Sequence, residues 1–229
     1  MDAPLDLADI RREIDALDGD LRALLLKRSD LVAQVAASKA QSGDGAILRP
    51  DREAAQMAAL LDWQASHAAH LSQAGVLAIW REIIGMAIAQ QGGLTIFTTA
   101  QAALAARGYF GASLSYQTLP QADAVLAQAH SDKAAVAVLA IDEARPPLDG
   151  QAVFARLPLG RAAGAQAAAL VYGAADLAPQ ADSSYLVARP APQTGDTPLA
   201  HLGDVVLVET DMPGTDDVWG QYRKLGEPS

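Results

Sequence analysis

The chain has 229 residues, about half of them apolar, with 19% charged and a formal net charge of −10. That composition supports a real core over one large or two modest domains and argues against long disordered stretches. The acidic balance disfavours nucleic acid as a partner, and the absence of cysteine removes disulfides, thiolate metal sites and cysteine nucleophiles.

The N-terminal stretch MDAPLDLADI is acidic and has no basic-then-apolar order, so it does not read as a secretory signal. No run of about 18 apolar residues exists, so no membrane span is expected and a cytoplasmic location follows by default. The first element is a long helix. Leu7, Ile10, Ile14, Leu17, Leu21, Leu24, Leu25, Leu31, Val32 and Val35 recur at three- and four-residue steps. From Leu7 to Ala40 it would reach roughly 50 Å at about 1.5 Å per residue. A domain of some ninety residues is narrower than that, so one copy leaves an apolar stripe bare, and helices of a second subunit are the natural cover. Turn chemistry in Gln41-Ser42-Gly43-Asp44-Gly45 ends it.

A second helix opens at Pro50 and runs through Met57, Leu60, Leu61 and Trp63 towards Ser66. A third starts near Ser72 and carries Val76, Leu77, Ile79, Trp80, Ile83, Ile84 and Ile88 to Gln91. His67 and His70 read as exposed polar residues at a helix end, since no third ligand lies beside them. Near Gln90-Gln91-Gly92-Gly93 the character changes, which divides the chain into a helical domain, 1–91, and a small α/β domain, 94–229. Strands are expected at Leu94–Phe97, Ala134–Ile141, Ala168–Tyr172, Tyr185–Ala188 and Val205–Glu209. Helices are expected at Ala100–Arg107 and Gln121–Gln128. Short apolar runs between helices suit a parallel sheet. Pro190 to Pro198 reads as loop and the last dozen residues as loosely held.

Cations mark the chemistry. Arg28 and Lys39 are eleven residues apart, about three turns, and so share nearly one helix face. Arg11 lies seventeen residues before Arg28, roughly 25 Å along the axis. One helix cannot bring Arg11 to the others, but two packed antiparallel can. Arg49-Pro50-Asp51-Arg52-Glu53 adds cations and a carboxylate, and Gln91 adds an uncharged donor. Taken singly, each has an ordinary explanation: Lys39 near a helix C-terminus and Glu53 in a first turn both suit the helix dipole. The set at these spacings points elsewhere.

The run LADIRREIDALDGDLRALLLKRSDLVAQVAASK, then RPDRE, then IWREIIGMAIAQQ, resembles the all-helical, type II (AroQ) class of chorismate mutases. The resemblance covers nearly all of residues 5 to 91. It implies an intertwined three-helix homodimer that rearranges chorismate, a small dicarboxylate, to prephenate without a cofactor. It further implies that Arg11 of the partner subunit, Arg28 and Arg52 hold the carboxylates, where a guanidinium fork binds bidentately. Lys39 and Gln91 would donate to the ether oxygen of the breaking bond, and Glu53 would accept from the hydroxyl. Arg49 stands where many relatives have an acidic residue, and Ala87 replaces a small hydroxyl residue one turn before the glutamine. Two other readings stay open: isochorismate pyruvate lyase, which shares the helical plan, and a regulatory dimer without catalysis. Residues from Leu94 to Asp142 more distantly resemble the start of a prephenate dehydratase domain. The Thr-Arg-Phe motif of that family is missing, with Ser183-Ser184-Tyr185 roughly in its place, so the expectation is a degenerate domain for ligand binding or assembly, or a plain α/β appendage.

Overall fold

A computed structural model of the chain describes residues 6–42, 47–158, 168–177, 184–214 and 216–222. By internal contacts the chain forms two compact units, Met1–Gly45 and Ala46–Ser229.

The first unit is one helix, α1 (Leu7–Ser42), of 36 residues and about 54 Å. No described residue of it is buried. Its apolar positions from Leu7 and Ile10 to Leu31 and Val35 stand 40–65% exposed, apart from the half-buried Val32. Burial therefore contributes little to its stability within one chain, and the bare stripe expected from the sequence is present. Gly43 to Gly45 of the expected turn lie outside the described residues.

The second unit opens with α2 (Pro50–His67) and α3 (Gln73–Gln90). Pro50 occupies the first turn of α2, where its missing N–H costs nothing. Ser72 caps α3, its Oγ accepting from the Gly75 N–H at 3.1 Å. His67 closes α2 and is exposed, as is His70 in the turn beyond.

A nine-stranded sheet follows: β1 (Thr95–Thr98), β2 (Ser115–Thr118), β3 (Ala135–Ala140), β4 (Gln151–Leu157), β5 (Ala169–Ala174), β6 (Ser184–Arg189), β7 (Thr197–Leu202), β8 (Val205–Thr210) and β9 (Asp217–Tyr222). Helix α4 (Ala103–Phe110) joins β1 to β2, and α5 (Ala122–His130) joins β2 to β3. The spatial order is β2-β1-β3-β5-β4-β9-β6-β8-β7. β2, β1 and β3 run parallel, as helix crossovers require, and β4 meets β9 in parallel at Val153 and Gly220. The remaining pairings are antiparallel, so the sheet is mixed rather than parallel.

Residue alternation places a core on each face of this sheet. In β3, Val136, Val138 and Ala140 join Ile96, Tyr109, Phe110, Ile84 and Ile88 beneath α3 and α4. Ala135, Ala137 and Leu139 point the other way, to Val125, Leu126, Leu170 and Tyr172 beside α5. All six residues of β3 are buried, the pattern of a central strand covered on both sides.

Several elements differ from the sequence reading. Strands β2, β4, β7 and β9 were not expected. β7 begins inside the expected loop at Thr197, and β9 occupies part of the tail expected to be loose. Helix α3 also packs on α4 across the expected boundary at Gln91, so α2 and α3 lie in the same unit as the sheet.

Candidate active site

The six residues singled out in the sequence fall in both units. Arg11, Arg28 and Lys39 lie on α1, with Lys39 in its last turn. Arg11 is exposed, and Arg28 and Lys39 are half-buried. Arg52, Glu53 and Gln91 lie in the second unit.

Arg52 and Glu53 occupy the first turn of α2, consecutive positions about 100° apart, and this separates their fates. Arg52 is exposed, whereas Glu53 turns inward beside Met57 and is buried. There its Oε2 accepts from Arg81 Nη1 of α3 at 2.8 Å. The Arg81 guanidinium in turn stacks on the Tyr109 ring of α4, 4.1 Å from its centroid. Three helices thus meet through one carboxylate, one guanidinium and one aromatic face. Burial raises the Glu53 carboxyl above its ordinary value, opposed by the charge and hydrogen bond of Arg81 and by the Arg49 backbone. Burial likewise pushes the Tyr109 hydroxyl up to about 12, against the pull of Arg81.

Gln91 follows the last turn of α3, half-buried, with Nε2 donating to the Ala87 carbonyl at 3.1 Å. It lies ten residues beyond Arg81, about 15 Å along the axis. Ala87 is buried and offers only a methyl there.

Sequence reasoning missed Arg81 and Tyr109. A signal was present: Leu77, Arg81, Ile84 and Ile88 recur at four-, three- and four-residue steps, which puts a cation on the apolar face. A charge there needs a partner, and Glu53 supplies it. Arg81 Nε is nonetheless buried without a hydrogen-bond partner among the described residues. Such an orphaned donor costs about 1–3 kcal/mol.

Hollows lie among the described residues of this unit. One, of about 330 Å³, is walled by α3, α4 and the ends of β4 and β5, and Arg81 is part of its lining. Another, of about 480 Å³, lies beyond the C-terminal ends of β1 and β2 and is lined by Thr99, Gln101, Thr118 and Glu143. Polar groups there already serve one another. Thr99 Oγ1 donates to Glu143, and Gln101 Nε2 donates to both Asp142 oxygens at 2.8 and 2.7 Å. Among the described residues no group of three or more histidine or acidic side chains could hold a metal ion. No helix among them is long and apolar enough to cross a membrane.

Residues 10–92, which hold most of α1, all of α2 and α3 and all six singled-out residues, match the model of the family described as chorismate mutase type II. The chain therefore carries a chorismate mutase type II domain, followed by an α/β part that the match does not reach. No curated protein and no solved structure matches the chain.

Proposed function

We propose that this protein is a chorismate mutase, acting as a homodimer to convert chorismate to prephenate. The observation that carries the reading is the family match over residues 10–92, a stretch that contains Arg11, Arg28, Lys39, Arg52, Glu53 and Gln91.

The reaction accounts for that set. A [3,3] rearrangement requires no nucleophile and no general acid; it requires a flexible molecule held in its reactive chair. In this reading Arg28, Arg52 and Arg11 of the partner subunit grip the two carboxylates. Negative charge grows on the ether oxygen as the C–O bond breaks, and Lys39 and Gln91 donate to it. Glu53 accepts from the substrate hydroxyl, with Arg81 holding the carboxylate in place from behind. The exposed apolar stripe of α1 supports the dimer, because a second copy of the same helix would cover it.

The α/β part takes no dehydration step in this proposal. Ser183 of the Ser183-Ser184-Tyr185 stretch lies outside the described residues. Ser184 is buried, with Oγ donating to Asp211 at 2.9 Å, and so is committed to structure.

The test is to supply purified protein with chorismate and, separately, isochorismate. Loss of chorismate matched by prephenate is the expected outcome. Salicylate and pyruvate from isochorismate alone would reassign the chain as a lyase, and turnover of neither would leave a non-catalytic dimer. Phenylpyruvate formed from added prephenate would refute the assignment of the α/β part.

A further inference from the structure

Two contacts hold the Arg81 guanidinium. Nη1 donates to Glu53 Oε2 at 2.8 Å, and Cζ lies 4.1 Å from the centre of the Tyr109 ring. The donors of a guanidinium lie in its plane, so an edge serves the carboxylate while the face is left for the ring. One hydrogen bond alone would let the group pivot, and the ring removes that freedom. Arg81 and Tyr109 are both buried. A cation over a ring in such a place is worth about two- to thirtyfold in an equilibrium.

The ring is itself fixed by the α/β part. Phe110 packs against it edge-on, with centroids 4.7 Å apart and planes at 84°. Phe110 shares its core with Ile96 of β1 and Val136 and Val138 of β3. A continuous run of packed side chains thus leads from the sheet to Glu53. Its members next to Arg81, Tyr109 and Phe110, lie beyond residue 92, where the family match ends.

We propose that Tyr109 is a positioning residue for the rearrangement: its ring holds the Arg81 guanidinium against Glu53, which fixes Glu53 as the acceptor for the substrate hydroxyl. The proposal rests on the mutase reading and extends it by giving the α/β part a share in the site. Glu53 serves best as an acceptor when it is ionised. Burial raises its carboxyl, while the charge and hydrogen bond of Arg81 and the Arg49 backbone oppose the rise. Tyr109, on α4, feels the Glu53 charge in turn. An Arg81 free to drift from Glu53 would oppose less, and the carboxyl would take up its proton at higher pH. Loss of the ring should therefore cost most on the acid side.

The test is the pH profile of kcat/KM on chorismate, measured with the full chain. Tyr109→Leu is expected to lower kcat/KM by at least about threefold at about pH 5, and to come within about twofold of wild type at about pH 8. Tyr109→Phe keeps the ring and is expected to rescue the acid side. In a Glu53→Gln background, where that side chain no longer titrates, Tyr109→Leu should lower kcat/KM no further. Should Tyr109→Leu not fold, Tyr109→Met fills more of the space and is read the same way. A wild-type profile in folded Tyr109→Leu, an equal loss at both pH values, an acid-side loss as large in Tyr109→Phe, or a further loss of the same size in the Glu53→Gln background would each overturn the proposal and leave the mutase reading standing. A wild-type chain that does not turn over chorismate would overturn both.

Discussion

Lys39 sits in the last turn of α1, where the helix dipole alone would welcome a cation. The role proposed for it, as a donor to the ether oxygen, makes a sharper demand than that. Lys39→Ala should lower kcat by at least about 10²-fold, the scale of losing one oxyanion-type donor, while KM moves little. A dipole role alone would leave kcat at the wild-type value, and steady-state kinetics on chorismate separates the two. Tyr109 offers a second test. Its hydroxyl titrates at about 12 in the folded chain, above the ordinary value of 10.0, because burial disfavours the phenolate. A raised folded pKa means that the stabilisation is fully present below pH 10 and is lost as pH rises towards 12. Urea unfolding between pH 10 and 11 should therefore show stability falling by about 1 kcal/mol per pH unit from this residue. Tyr109→Phe keeps the ring under Arg81 and should flatten that slope; an unchanged slope would show that the hydroxyl is not the group responsible.

At the scale of elements, the junction of α3 with α4 is set by glycine. A Cβ on Gly85 would lie 2.3 Å from the Phe110 carbonyl oxygen, so α3 can approach the end of α4 only with a hydrogen there. Gly111 closes α4 with φ +78°, and the next N–H, of Ala112, donates to both Glu82 oxygens at 3.1 and 2.9 Å. Gly85→Ala should destabilise the chain by about 1–3 kcal/mol through forced separation of the two helices. Gly108→Ala, in the same neighbourhood with open space around its Cβ, should stabilise by up to about 1 kcal/mol. Paired urea melts of the two variants read opposite signs if the close approach is real. These elements also show what the sequence makes legible. The three helices followed from apolar recurrence, and β3 and β5 from short runs buried on both faces. Strands β2 and β7 escaped because they lie at the sheet's two edges, where none of their residues is buried, with Pro198 inside β7. β4 escaped because Arg156 interrupts its apolar run, although Glu209 pairs with it at 3.3 Å in the core. For the site, residue types and spacing were legible within α1. The Glu53–Arg81–Tyr109 contact was not, since it joins residues 28 positions apart or more through tertiary packing alone.

For the whole molecule, a shared site makes a quantitative demand on mixed assemblies. In the proposed dimer, each site takes Lys39 from one chain and Arg11 from the other. Arg11→Ala and Lys39→Ala should each be nearly inactive as pure proteins. Unfolded together and refolded at equal concentration, half the dimers would be mixed, and each mixed dimer would hold one intact site of two. About a quarter of wild-type turnover should return. Recovery of none would refute a site built across two chains. The match to the family stops at residue 92, yet the buried contact that holds Glu53 does not stop there, because its third member, Tyr109, belongs to α4. For protein engineering, this moves the seam. A chimera that swapped only residues up to Gly93 for another mutase module would bring its own α3 against Tyr109, Phe110, Gly111 and Ala112, surfaces shaped for Arg81, Gly85 and Glu82. Those four residues of α4 and its cap would have to travel with the helices, as part of the module that the sequence boundary leaves behind.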